Sequence, residues 1–122
     1  MGLVPFDYYP KFVGFLASKD KDQALNFINT IYASGINLEQ FNSGLVEYLR
    51  KIMIHGINPA VLASFGEELL ENDLKLIAAY SHAFTQGQLI RMINVFVSAK
   101  EGIKSSPIPQ LPLELSVLEL TS

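Results

Sequence analysis

The chain carries two histidines, His55 and His82, and one acidic cluster, Glu67, Glu68, Glu71 and Asp73; a metal site or an acid-base pair would have to be built from these. A helical metal site sets His or carboxylate ligands three or four residues apart so that they project from one face. Neither histidine has such a neighbour at i+3 or i+4, and the two fall in different elements, so they read as ordinary helix-end histidines. The four carboxylates scatter around a helix instead of converging on a pocket, which is the pattern of a solvated acidic face. Tyr8 and Tyr9 beside Lys11 could be taken for a base-stacking platform, but stacking needs a basic groove around it, and core or interface packing is the simpler role. Met53 and Met92 sit in apolar stripes as packing residues.

No cysteine is present, which excludes disulfides, thiolate metal sites and a cysteine nucleophile. The glycines are scattered, and neither G-x-x-x-x-G-K-[ST] nor G-x-G-x-x-G occurs. The expectation is a non-catalytic chain with no catalytic, cofactor-binding or metal-binding residue.

Composition points to what the chain does instead. Charged residues make up 17% of the 122, against roughly 25% in ordinary soluble domains, and 49% are apolar, so part of the surface is expected to be apolar and to face a partner. A net charge of -3, with nine Lys plus Arg dispersed along the chain, gives no basic patch and argues against direct nucleic-acid binding. No apolar run approaches the roughly 20 residues that span a bilayer, and the first residues lack the features of a signal peptide, so a soluble, cytoplasmic protein without membrane contact is expected.

The length suits a single domain, residues 1–122. Asp7 is placed to cap a first helix with Pro10 in its first turn, and Tyr9, Phe12, Val13 and Leu16 on one side. After a turn at Ser18-Lys19, Asp20 and Gln23 form a capping-box pattern opening a second helix, which Gly35 stops. Asn37 and Gln40 repeat the device for a long third helix ending at Gly56. Asn58-Pro59 starts a short helical or irregular piece, and Glu67 to Phe84 reads as a fourth main helix, with Asn72-Asp73 as an alternative cap. Thr85 and Gln88 open a fifth, so nearly apolar all round that it should be central.

The C-terminal stretch from Lys104 to Leu120 alternates apolar and polar residues from Leu111 to Val117, the period of a strand. Pro112 would remove a ladder donor, and no second strand is available to pair with it, so a helix with proline in its first turn fits better. At about 100° per residue, Leu111, Leu115 and Leu118 form one stripe, and Leu113, Val117 and Leu120 another nearly opposite. A helix with two apolar faces needs two surfaces to bury them: its own domain, and another part of the chain or another subunit. The fold class expected is all-α, a single bundle of five to six helices.

These features in this order resemble the third, or collar, domain of the gamma/tau subunit of the bacterial DNA polymerase III clamp loader. Asp20 to Arg50, with Ala24-Leu25, Gly35, Asn37-Leu38, Phe41 and Glu47-Tyr48-Leu49-Arg50, resembles its second and third collar helices. Phe84-Thr85 to Leu89-Ile90-Arg91 is similar to the start of its long fifth helix, and Ser106 to Leu115 to its closing segment, although Gln110 stands where many relatives carry a basic residue. Gly2-Leu3-Val4-Pro5 looks like the junction with an upstream ATPase region, and Met1 then starts a fragment. The resemblance implies an oligomerisation scaffold that gathers clamp-loader subunits into a ring loading the sliding clamp in DNA replication. Its implied partners are copies of itself, delta and delta-prime, and it is compatible with a monomer when isolated. ATP and zinc would belong to preceding domains, so this chain would be no enzyme itself, while its parent subunit would belong to the DNA polymerase III holoenzyme, a DNA-directed DNA polymerase.

Candidate subunit-interface residues are Ile90, Ile93, Phe96 and Val97 on the central helix, with Leu111, Leu113, Leu115, Val117, Leu118 and Leu120 on the last. The alternative is a helical regulatory domain binding a small molecule or a protein partner, with a pocket among Phe12, Phe27, Phe41 and Phe96.

Overall fold

Each helix of this chain starts and stops where a particular residue can, or cannot, satisfy the backbone groups that a helix end leaves open. The structure, a computed structural model, describes residues 3–65 and 69–122. Among the described residues it is all-α, with helices α1 (Tyr8–Ala17), α2 (Lys21–Ala33), α3 (Leu38–Ile57), α4 (Pro59–Ala63), α5 (Glu71–Ala83), α6 (Gln86–Ser105) and α7 (Leu111–Thr121). The expected bundle is present, and α4, of five residues, is the short piece after Asn58-Pro59.

Asp7 stands at the N-cap of α1, but its backbone is already helical and its side chain makes no capping bond. The entry is closed by backbone instead, with Tyr8 N–H donating to Pro5 O at 3.1 Å and Tyr9 N–H to Phe6 O at 3.2 Å. Pro10, next in the first turn, has no N–H to satisfy. At the other end Asp20 N–H reaches back to Phe15 O at 2.9 Å and Lys19 N–H to Leu16 O at 3.2 Å, a Schellman closure that requires a left-handed residue between. That residue is Lys19, at φ 55°. A side chain in this region is strained by about 1–2 kcal/mol, partly offset by the greater chain entropy of glycine. Lys19→Gly should therefore stabilise the domain by about 0.5–1 kcal/mol, read as a raised urea midpoint at unchanged slope. The same closure ends α2, where Gly35 already occupies the left-handed position at φ 83°.

Asp20 Oδ1 accepts from Gln23 N–H and Asn37 Oδ1 from Gln40 N–H, both at 3.1 Å, so α2 and α3 start as the sequence suggests. α6 completes the full box, because Gln88 N–H donates to Thr85 Oγ1 while Thr85 N–H donates to Gln88 Oε1. The end of α3 differs from expectation. Gly56 does not stop it; the helix runs to Ile57, and the break comes at Asn58, whose extended backbone (φ -162°, ψ 109°) is what a following proline imposes. Asn58 Oδ1 then caps α4 through Ala60 N–H. Gly56 serves packing: a Cβ there would lie 2.7 Å from Gln86 Nε2, which donates to Met53 O and ties the start of α6 to α3.

α5 is shorter than the expected helix from Glu67. Glu67 and Glu68 lie outside the described residues, and the helix starts at Glu71 with Leu70 at its N-cap. Asn72 and Asp73 do not cap; they belong to the first turn, where Glu71 and Asp73 complement the helix dipole. Only Ile77 of α5 is fully enclosed, and Leu70 and Leu74 are exposed.

The two 20-residue helices, α3 and α6, pack along one another as the centre of the bundle. α4 and α5 lie against α3, while α7 lies against α6 on one side and against α2 and α1 on the other. Buried Asn42 of α3 pins the central pair, with Nδ2 donating to Phe96 O at 2.9 Å. Tyr80 Oη donates to Pro10 O at 2.8 Å and joins α5 to α1, passing so close to Gly14 that a Cβ there would meet it at 2.9 Å.

Phe12, Phe41 and Phe96 are fully enclosed, and with half-buried Phe27 they touch ring to ring at centroid separations from 5.5 Å (Phe12–Phe41) to 6.4 Å (Phe27–Phe41). Edge and stacked contacts at such distances fill the space. The rings that the alternative reading would line a pocket with are thus packed on each other.

Candidate functional site

The outer surface of α6 and α7 is determined by which residues the bundle takes inward. In α6, Leu89, Met92, Phe96, Ala99 and Ile103 recur at three- and four-residue steps and are buried, which turns Ile90 and Val97 outward, half exposed. In α7, Leu113, Ser116, Val117 and Thr121 are buried and Leu120 is partly so. The two hydroxyls are accommodated by bonding back into the helix, Ser116 Oγ to Pro112 O at 2.8 Å and Thr121 Oγ1 to Val117 O at 2.7 Å. The opposite stripe, Leu111, Leu115 and Leu118, faces out with exposures of 40%, 56% and 41%.

The helices approach closely at one end, where Gly102 faces Pro112 and an added Cβ would lie 3.0 Å from the ring. Further along they part into an open groove of about 590 Å³ whose walls include Ile90, Arg91, Asn94, Val95, Leu115 and Glu119. Arg91 bridges it, with Nη2 donating to Glu119 O at 3.3 Å and lying 3.7 Å from Glu119 Oε2. Both side chains are more than half exposed, so the charge pair itself contributes little to stability.

Of the residues singled out from sequence, Phe96, Leu113 and Val117 are enclosed in the domain core and do not reach the surface, because their helical phase matches the inward positions. Ile93 and Leu120 are half buried. Ile90, Val97, Leu111, Leu115 and Leu118 remain exposed, as does Ile108 in the preceding turn, and of these Ile90 and Leu115 line the groove. Sequence reasoning missed Arg91, Asn94 and Glu119, since nothing in a 28-residue separation announces the Arg91–Glu119 pair.

The residues that could have done chemistry are dispersed. His55 ends α3 with Nδ1 3.4 Å from Ser81 Oγ, and His82 lies exposed in the last turn of α5. Ser81 Oγ donates its hydrogen to Ala78 O at 2.7 Å. Glu71 pairs with Lys75 at 3.7 Å on the surface of α5. Among the described residues no three His, Asp or Glu side chains gather where they could hold a metal ion. Tyr8 meets Phe27 edge-on at 5.3 Å with Lys11 Nζ 5.8 Å above the same ring, which packs α1 on α2, while buried Tyr9 stacks on Phe41 and Tyr48 and packs α1 on α3. Burial pushes the phenols of Tyr9, Tyr48 and Tyr80 up, and Tyr48 furthest, with Tyr80 and Asp73 adding to the effect. Such groups stay protonated at neutral pH.

A second apolar area lies at the α3–α4–α5 end, where Ile57, Val61, Leu70 and Leu74 are exposed beside a pocket of about 670 Å³ lined by His55, Pro59, Leu62 and Leu69 among others. Residues 10–122, from the first turn of α1 through α7, match the family described as DNA polymerase III subunits gamma and tau domain III. The chain belongs to this family. Both groove helices fall inside the matched span, and the expected junction at Gly2-Leu3-Val4-Pro5 precedes it, with Gly2 outside the described residues. As a gamma/tau domain III it has a clamp-loader role in DNA replication. No curated protein matches the chain. Among the described residues of this gamma/tau domain, no helix is long and apolar enough to cross a membrane.

Proposed function

We propose that this gamma/tau domain III is an oligomerisation scaffold of the clamp loader, holding subunits in a ring while chemistry proceeds in other domains. The observation that carries the reading is the outward stripe of α7, Leu111, Leu115 and Leu118, with Ile90 and Val97 exposed on the neighbouring α6, on helices whose opposite faces are already committed to the core. Specific interfaces bury roughly 800 Å² per partner around an apolar centre with a polar rim. The exposed aliphatic side chains of the two helices, with Ile90 and Leu115 meeting across the groove, supply such a centre, and Arg91, Asn94 and Glu119 such a rim. The partners are other clamp-loader subunits, namely copies of itself, delta and delta-prime, in the cytoplasm. The domain needs no cofactor, and with -3 net charge it has no reason to hold DNA directly.

Leu115→Asp tests the reading. The carboxylate stays hydrated on the free domain and loses water only when a partner covers it, so folding should be untouched while association weakens at least tenfold, about 1.4 kcal/mol or more. Circular-dichroism melting of the domain should match the parent, and the full-length variant subunit should fail to co-elute with its clamp-loader partners at concentrations where the parent does. Normal co-elution would show that this face is not the interface.

A further inference from the structure

We draw no further inference here: the strongest candidate, the half-enclosed apolar pocket between α4 and the start of α5 with His55 as its polar group, carries nothing because nothing in the structure shows what covers it.

Discussion

Val117→Asp is expected to abolish the cooperative thermal transition of the domain at neutral pH, although Leu115→Asp, two residues away, leaves it intact. Val117 is fully enclosed where α7 meets the bundle. The substitution removes an apolar side chain whose burial is worth about 1.5–3 kcal/mol. It also brings in a carboxyl that must either lose its hydration while charged or take up a proton to avoid doing so, at a further cost of several kcal/mol. Together these approach the roughly 5–15 kcal/mol that holds an ordinary domain folded. The pH dependence gives a second readout. Burial raises the carboxyl's pKa in the folded state above its value in the unfolded chain, so the folded form binds the proton more tightly. Stability is then highest below the unfolded-state pKa and falls as pH rises through the folded-state one. The variant should recover part of its structure on acidification from pH 7 to pH 4, as measured by far-ultraviolet circular dichroism. A variant that melts like the parent at pH 7 would mean that α7 does not seal the bundle through this face.

The helical character of α7 was legible from Pro112 and the absence of a pairing strand, and its two stripes from their spacing. Which stripe turns inward was also written in the sequence, in the residues between the leucines. Leu113, Ser116, Val117, Leu120 and Thr121 fall at i, i+3, i+4, i+7 and i+8, and the hydroxyls among them can be buried because each bonds a carbonyl one turn back. Leu111, Leu115 and Leu118 are instead flanked on their own face by Glu114 and Glu119, whose charges require water. Counting apolar residues alone gives both stripes three members and hides the difference.

Caps were read well where a side chain makes the bond, as at Asp20, Asn37 and Thr85, and poorly where backbone or packing decides, as at Asp7 and Gly56. The surface groove was the least legible feature. Its walls come from two helices whose relative placement depends on the Gly102–Pro112 approach, a tertiary contact without a local signature.

Gly44 is the strongest instance of a glycine set by tertiary contact, and it yields a prediction opposite in sign to local propensity. In the interior of α3 the exchange Gly44→Ala should gain about 1 kcal/mol from helix propensity alone. In this fold a Cβ on residue 44 would lie 1.9 Å from Tyr9 Oη, 2.3 Å from Cζ and 3.0 Å from Cε1. The ring cannot easily give way. It is 8% exposed, stacked on Phe41 at 5.5 Å and on Tyr48 at 6.3 Å, and met edge-on by Phe6 at 6.1 Å. Relief requires α1 to lift from α3 or Tyr9 to leave the core, and overpacking of this kind costs about 1–3 kcal/mol or more. Expulsion of the ring adds the loss of its buried area and aromatic contacts. The net expectation is destabilisation by about 2–4 kcal/mol, measured as a lower urea midpoint. Tyr9→Leu in the same chain separates this mechanism from a general intolerance of change in α3: it is costly by itself, but it removes the hydroxyl and ring that the new Cβ strikes. Adding Gly44→Ala to Tyr9→Leu should therefore cost much less than adding it to the parent, a coupling of 1 kcal/mol or more between neighbouring sites. A stabilised Gly44→Ala, or strict additivity in the double variant, would show that Tyr9 does not lie over Gly44 in solution.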